Sequence, residues 1–274
     1  MSAASATDPL GGWARSLLEA TTLAGKLVAP PPAPWPELAA APVRLEAPGR
    51  PANLTIRPGR QVPVPPVAGM RDPAQRGRIL HALANHELQA VELFAWALLM
   101  FPAAPRPFRA GLVAILVEEQ RHLELYLGRL AAHGKAFGDD PVTGHFWNKL
   151  DQLATPLEFV CAMGLTFENA NLDFAGAYAA AARAAGDLDT AAVLDRVHAD
   201  EIGHVAFAYN WLERLAPDRD PWQAYLDTAR FPLGPHRARG REFDVEARRR
   251  AGLAPSFIEG LAAATPTRPG GAPR

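Results

Sequence analysis

One cysteine, Cys161, stands in 274 residues, so no disulfide can form within the chain, which fits a reducing compartment. An excess of charge of either sign is also missing: the net charge is -1 and charged residues make up 21%. That balance leaves nucleic acid as a partner without support. No apolar run reaches the roughly 20 residues of a membrane span. Leu88 to Phe101 comes closest, and Gln89 and Glu92 interrupt it. Met1 to Pro9 lacks a basic stretch followed by an apolar one, so no signal peptide is expected there. Strand-like runs of Val, Ile and Thr are scarce. These absences point to a cytoplasmic, helical protein with no membrane partner.

What the chain does have is apolar residues, 49% of the total, and 27 prolines. The first supply a sizeable core, and the second mark where helices must stop. Residues 1–71 read as a leader. Trp13, Leu17, Ala20, Ala24 and Leu27 share one face of a short helix, and Pro30 to Pro66 is too rich in proline for helix and is expected to wrap the surface. Asp72-Pro73-Ala74-Gln75 opens a first long helix running to about Phe101. A second runs from about Phe108 to His133, with Gly134 at its C-cap. A long link follows, a crossover in length. Thr155-Pro156-Leu157-Glu158 is a capping box that opens the third helix, which ends at Ala185-Gly186-Asp187. The fourth spans Leu188 to Leu215, and Asp220-Pro221 caps a shorter fifth. From Gly234 onward the chain reads as irregular, with one more helix at Glu242 to Ala251. The expected divisions are 1–71, a bundle over 72–215, a C-terminal helical extension over 216–264 and a disordered tail over 265–274. Four long helices joined by short, long and short links make an all-α bundle with one crossover.

Two Glu-x-x-His motifs carry the chemistry: Glu119-Gln-Arg-His122 on the second helix and Glu201-Ile-Gly-His204 on the fourth. Residues three apart share a helical face, so each pair can grip one metal ion. A bundle site needs one more carboxylate from each remaining helix. Glu87 and Glu168 supply them, and the spacing from Glu87 to Glu119 is within one residue of that from Glu168 to Glu201. All four acids lie on apolar stripes, for example Leu80, Leu83, Val91 and Phe94 around Glu87. Unpaired, each would cost several kcal/mol to bury, a difficulty that two divalent cations remove. Oxygen ligands with imidazole suit iron, or manganese, better than structural zinc.

Neighbouring residues take supporting parts. Glu118 and Asp200 each precede a ligand Glu and are candidate partners for the second nitrogens of His204 and His122. Tyr126 follows His122 by one turn and is the candidate for radical or proton chemistry. Glu92, the rival to Glu87, breaks the spacing and is assigned to the surface or to a place behind the ligands. His86, His198 and Asn171 border the site. The arginines from Arg230 to Arg250 read as a solvated face, with a phosphate-bearing substrate as the sharper alternative.

Four segments carry a resemblance: His86 to Leu93, Phe167 to Asp173, Asp200 to Val205 and Phe243 to Arg248. Their order resembles the bacterial ferritin-like family catalogued as domain of unknown function 455, over roughly residues 48–260. The helix-four motif is also similar to one in bacterioferritin, and the di-iron tRNA hydroxylase is a more distant relative. The resemblance implies a ferritin-like fold and a carboxylate-bridged dinuclear centre at Glu87, Glu119, His122, Glu168, Glu201 and His204. Asn169-Ala170-Asn171 departs from the family's Arg-Gly, which bears on the substrate pocket. The expected function is an O2-dependent non-haem di-iron oxidase or oxygenase. It would act on a small or nucleotide-like substrate, draw on an electron donor, and be a monomer or small homo-oligomer. The alternatives are iron oxidation and storage of the ferritin type, and a metal-stabilised helical interaction module.

Overall fold

The computed structural model describes residues 8–36, 41–57 and 62–264. The expected disordered tail, 265–274, lies outside them. The described chain is mostly helical, with almost no strand, as an all-α sequence requires. It divides into two units: residues 1–65 with 73–150, and residues 66–72 with 151–274.

In the first unit the helices are α1 (Pro9–Glu19), α2 (Leu23–Lys26), α3 (Pro73–Met100) and α4 (Arg106–Ala132). Asp8 caps α1 by accepting the Gly11 N–H at 2.9 Å, and Leu10, Trp13, Ala14, Leu17 and Leu18 are buried. The stripe expected to run on to Leu27 stops at Leu17. Thr22 accepts the Gly25 N–H and starts α2 as a separate turn, which leaves Ala24 exposed. The described part of the proline-rich stretch runs along α3. Val43 N–H donates to the Leu99 carbonyl and the Trp96 indole donates to the Leu45 carbonyl. This cover explains why α3 is buried on nearly all sides from Leu83 to Leu99. One short parallel pairing joins β1 (Ile56–Arg57) to β2 (Val142–Thr143). At the end of α4, Gly134 takes φ +66, and Gly134 and Lys135 return their N–H groups to Ala131 and Leu130. Glycine adopts that left-handed conformation without strain, and the two bonds satisfy the last carbonyls.

In the second unit the third long helix is composite. It comprises α5 (Pro156–Phe159), a nine-residue π-helical segment (Val160–Glu168) and α6 (Asn169–Ala184). Both halves of the capping box at Thr155 form: Thr155 Oγ1 accepts the Glu158 N–H, and Glu158 accepts the Thr155 N–H, each at 3.1 Å. Within the π segment Thr166 donates its hydroxyl to the Cys161 carbonyl at 2.8 Å. That hydrogen is its only one, so Tyr225 is the donor in the 2.8 Å contact between the two hydroxyls. Asp187 closes the end of α6 on the Ala182 carbonyl and then caps α7 (Leu188–Leu215) by accepting the Thr190 N–H. Asp220 caps α8 (Pro221–Thr228) and Asp244 caps α9 (Val245–Arg250). A further helix, α10 (Pro255–Ala263), lies where irregular chain is expected. Pro255 begins it in the position proline favours, and Phe257 packs against Tyr209, Trp222 and Tyr225. Among the described residues no helix is long and apolar enough to cross a membrane.

Candidate metal centre

The first unit assembles one trio. Glu87 comes from α3, and Glu119 and His122 come from successive turns of α4. All three are buried, and one ligand atom from each lies within 4.8 Å of the others. His122 Nδ1 is 3.5 Å from Glu119 Oε2 and 3.8 Å from Glu87 Oε2.

The second unit builds the same trio from different backbone. Glu168 is the last residue of the π segment, and Glu201 and His204 lie on α7. His204 Nδ1 is 3.2 Å from Glu201 Oε2 and 3.9 Å from Glu168 Oε2. These three ligand atoms also fall within 4.8 Å of one another, and the residues are buried. Gly164 lets the π segment come this close to α7: a Cβ there would sit 2.2 Å from the Ala208 Cβ.

The first trio attracts positive charge. Burial, reinforced by the Glu119 carboxylate, pushes Glu87 well above its ordinary value. Burial alone would lower His122, but hydrogen bonds and charge from Glu119 and Glu87 outweigh it and push it up to about 11. Without a metal the trio holds protons; a divalent cation bound by the same oxygens and Nδ1 satisfies the same need. Carboxylates with imidazole fit iron or manganese.

The neighbouring residues divide. Tyr126 is buried on α4, one turn past His122. Glu118 and Asp200 are half-buried, and Asp200 accepts from Arg196 Nε at 2.7 Å. Burial pushes His86 down to about 4, so its imidazole is neutral at pH 7. His198 pairs with Asp244 at 3.2 Å. Asn171 does more than border the site: its amide donates to Glu201 Oε1 at 2.7 Å. Its position three residues after Glu168, the spacing of the Glu-x-x-His motifs, was the available signal.

Two expectations are met in part. Of the two places expected for Glu92, the surface and a position behind the ligands, the surface is ruled out. Glu92 is fully buried, because the extended chain covers that side of α3, and it is bonded to Arg50, Lys26 and Trp147. Of the arginines near the C-terminus, Arg230, Arg237, Arg241, Arg249 and Arg250 are exposed, as a solvated face requires, and Arg248 departs from that reading. Arg248 is buried on Asp173, Arg230 reaches Glu158, and Arg239 donates to the Ala262 carbonyl.

The model of one family, described as a protein of unknown function (DUF455), matches residues 14–259. The chain belongs to that family. No curated protein and no solved structure matches it. In this DUF455 chain the four segments singled out in the sequence hold four of the six candidate ligands, together with Glu92, Asp173 and Arg248.

Proposed function

We propose that the chain is a non-haem di-iron oxidoreductase of ferritin-like fold that uses O2 on a small molecule. Glu87, Glu119 and His122 hold one ion, and Glu168, Glu201 and His204 hold the other. The observation that supports this most is the repetition of one buried Glu-Glu-His trio, with closely similar distances, on two differently built scaffolds. A chance cluster of acids has no reason to recur in that form. Bound iron would supply the electron-transfer chemistry with dioxygen. The chain's own residues do the rest. The carboxylates balance the cationic charge, each histidine presents Nδ1, and Glu87 and His122 give up their protons when the ion enters. Burial of all six keeps bulk water from the site. Tyr126 places a phenol one turn from a ligand, where it can pass a proton or an electron.

The test is anaerobic reconstitution with Fe(II), followed by elemental analysis and exposure to air with an oxygen electrode. Two irons per chain and stoichiometric O2 uptake, in a monomer or small oligomer by light scattering, are expected. Large particles retaining many irons per chain would favour ferritin-type storage instead, and absence of bound metal would leave the interaction-module reading.

A further inference from the structure

Behind each of the helices that carry Glu87 and Glu168 lies a second buried acid, and its register repeats. Glu92 follows Glu87 by five residues, and Asp173 follows Glu168 by five. Five helical residues amount to about 140° of rotation and about 7.5 Å of rise, so each acid sits toward the back of its helix, away from the ligand. Each carboxylate takes four hydrogen bonds, two per oxygen. Glu92 accepts from Arg50 Nε and Nη2 at 3.0 and 2.6 Å, from Lys26 Nζ at 3.1 Å and from the Trp147 indole at 2.8 Å. Asp173 accepts from Arg248 Nη1 and Nη2 at 2.8 and 3.0 Å, and from the Gly240 and Asp244 N–H groups at 2.7 Å each. In both cases a guanidinium fork grips both oxygens, and in both it comes from outside the helical hairpin. Arg50 lies in the extended N-terminal chain and Arg248 on α9. Arg248 also donates to the carbonyl of Asn169, the residue after Glu168, and its guanidinium sits 3.8 Å over the Phe243 ring.

We propose that Arg50 and Arg248 are positioning residues for the two metal-binding trios: each clamps the back of the helix whose front carries Glu87 or Glu168. This rests on the metal reading above. A buried ion pair is a weak source of stability, because apolar residues of equal volume often serve as well. What the fork adds is a single allowed geometry, since two parallel N–H donors fit a carboxylate in one orientation. A helix held by its ligand on one side and by such a clamp on the other can neither roll nor slide. A metal site needs its ligands placed within about 0.5 Å and 10–20°. Arg248 and Asp173 also account for two of the sequence segments that the metal ligands alone leave unexplained, Phe243 to Arg248 and the end of Phe167 to Asp173.

The probe is Co(II), titrated anaerobically into full-length metal-free protein and followed by visible absorption and bound-metal content. His122→Ala leaves only the second trio intact, and His204→Ala only the first. In the His122→Ala background, Arg248→Lys keeps the charge and loses the fork. It should weaken Co(II) binding about 10- to 100-fold, the usual cost of losing a group that orients a ligand, while Arg50→Lys leaves binding unchanged. In the His204→Ala background the two should exchange roles. Should Arg248→Lys not fold, Asp173→Leu with Arg248→Met supplies an uncharged pair for the same titration. Losses that fall on both trios alike, in step with a lower melting temperature of the metal-free protein, would make the clamps structural only and overturn the proposal. Wild-type protein that binds two Co(II) ions while every clamp variant does the same also overturns it and leaves the metal reading standing. Wild-type protein that binds none overturns both.

Discussion

The two halves of the molecule make the same trio by different means. In the first, Glu87 stands on a regular α-helix. Glu92 behind it is a long acid reaching two cations and an indole. In the second, Glu168 ends a π-helical segment, and Asp173 is a short acid reaching one guanidinium and two backbone N–H groups. Ligand chemistry tolerates little variation in which atoms face an ion, but the support behind those atoms needs only to be rigid and satisfied. The trio therefore repeats while the scaffold diverges.

The largest expected effect tests whether the halves are equivalent. His122→Ala and His204→Ala should each lower the iron content from two per chain to one, and the double variant to none, by elemental analysis after anaerobic loading. Complete loss in one single variant but not in the other would break the equivalence.

Next in size is the cost of stranding the supports. Removing one partner of a buried ion pair costs about 3–5 kcal/mol. Asp173→Ala should fall in that range, and Glu92→Ala at its upper end, because Glu92 balances both Arg50 and Lys26. Urea unfolding of metal-free protein measures both. A cost below about 1 kcal/mol for Glu92→Ala, the level of an exposed ion pair, would contradict its burial.

Most of this architecture was legible in the sequence because its signals are local. Asp220-Pro221, Thr155 to Glu158, Gly134 and Gly186 fix helix ends through bonds to residues no more than five positions away. The clustering of the candidate ligands was legible because helical periodicity places residues three apart on one face. The clamps were not, since Arg50 and Glu92 are 42 residues apart and Arg248 and Asp173 are 75. No local rule ties such pairs together. The choice between the surface and a buried place for Glu92 was open for a related reason: periodicity identifies the face toward the partner helix but does not show that proline-rich chain covers the other. The π segment was invisible because its deciding contacts, Gly164 on α7 and Thr166 with Tyr225, are tertiary.

Protons sharpen the comparison in the first half. The Glu87 carboxyl is raised above its ordinary 4.5 by folding, so the unfolded chain releases that proton first and unfolding becomes easier as pH rises. His122, raised from 6.5 to about 11, contributes stability that is fully present below 6.5 and is lost as pH climbs toward 11. Both act in the same direction, so metal-free protein should lose stability between about pH 5 and pH 9. Bound metal takes the place of those protons, so the gap in melting temperature between loaded and metal-free protein should widen over the same range. Calorimetry at several pH values checks this, and a gap that narrows with pH would be the wrong sign.

The smallest expected effect concerns a hydrogen bond to a trio carboxylate in the second half. Asn171 donates to Glu201 Oε1 at 2.7 Å, whereas the residue three past Glu87 is Ala90, which has no donor to offer. The amide fixes one oxygen of Glu201 and leaves Oε2 toward His204. Asn171→Ala frees the carboxylate to rotate, which should weaken metal binding by about tenfold, or about 1.4 kcal/mol, at the low end for a ligand's supporting group. Asn171→Asp should cost more, since it exchanges the donor for a like charge beside Glu201. In the His122→Ala background the loss should appear in full. In the His204→Ala background the outcome separates two cases. Unchanged Co(II) binding means that Glu201 serves its own trio alone, and an equal loss means that Glu201 is shared by both ions, as the carboxylate-bridged reading of the sequence expects.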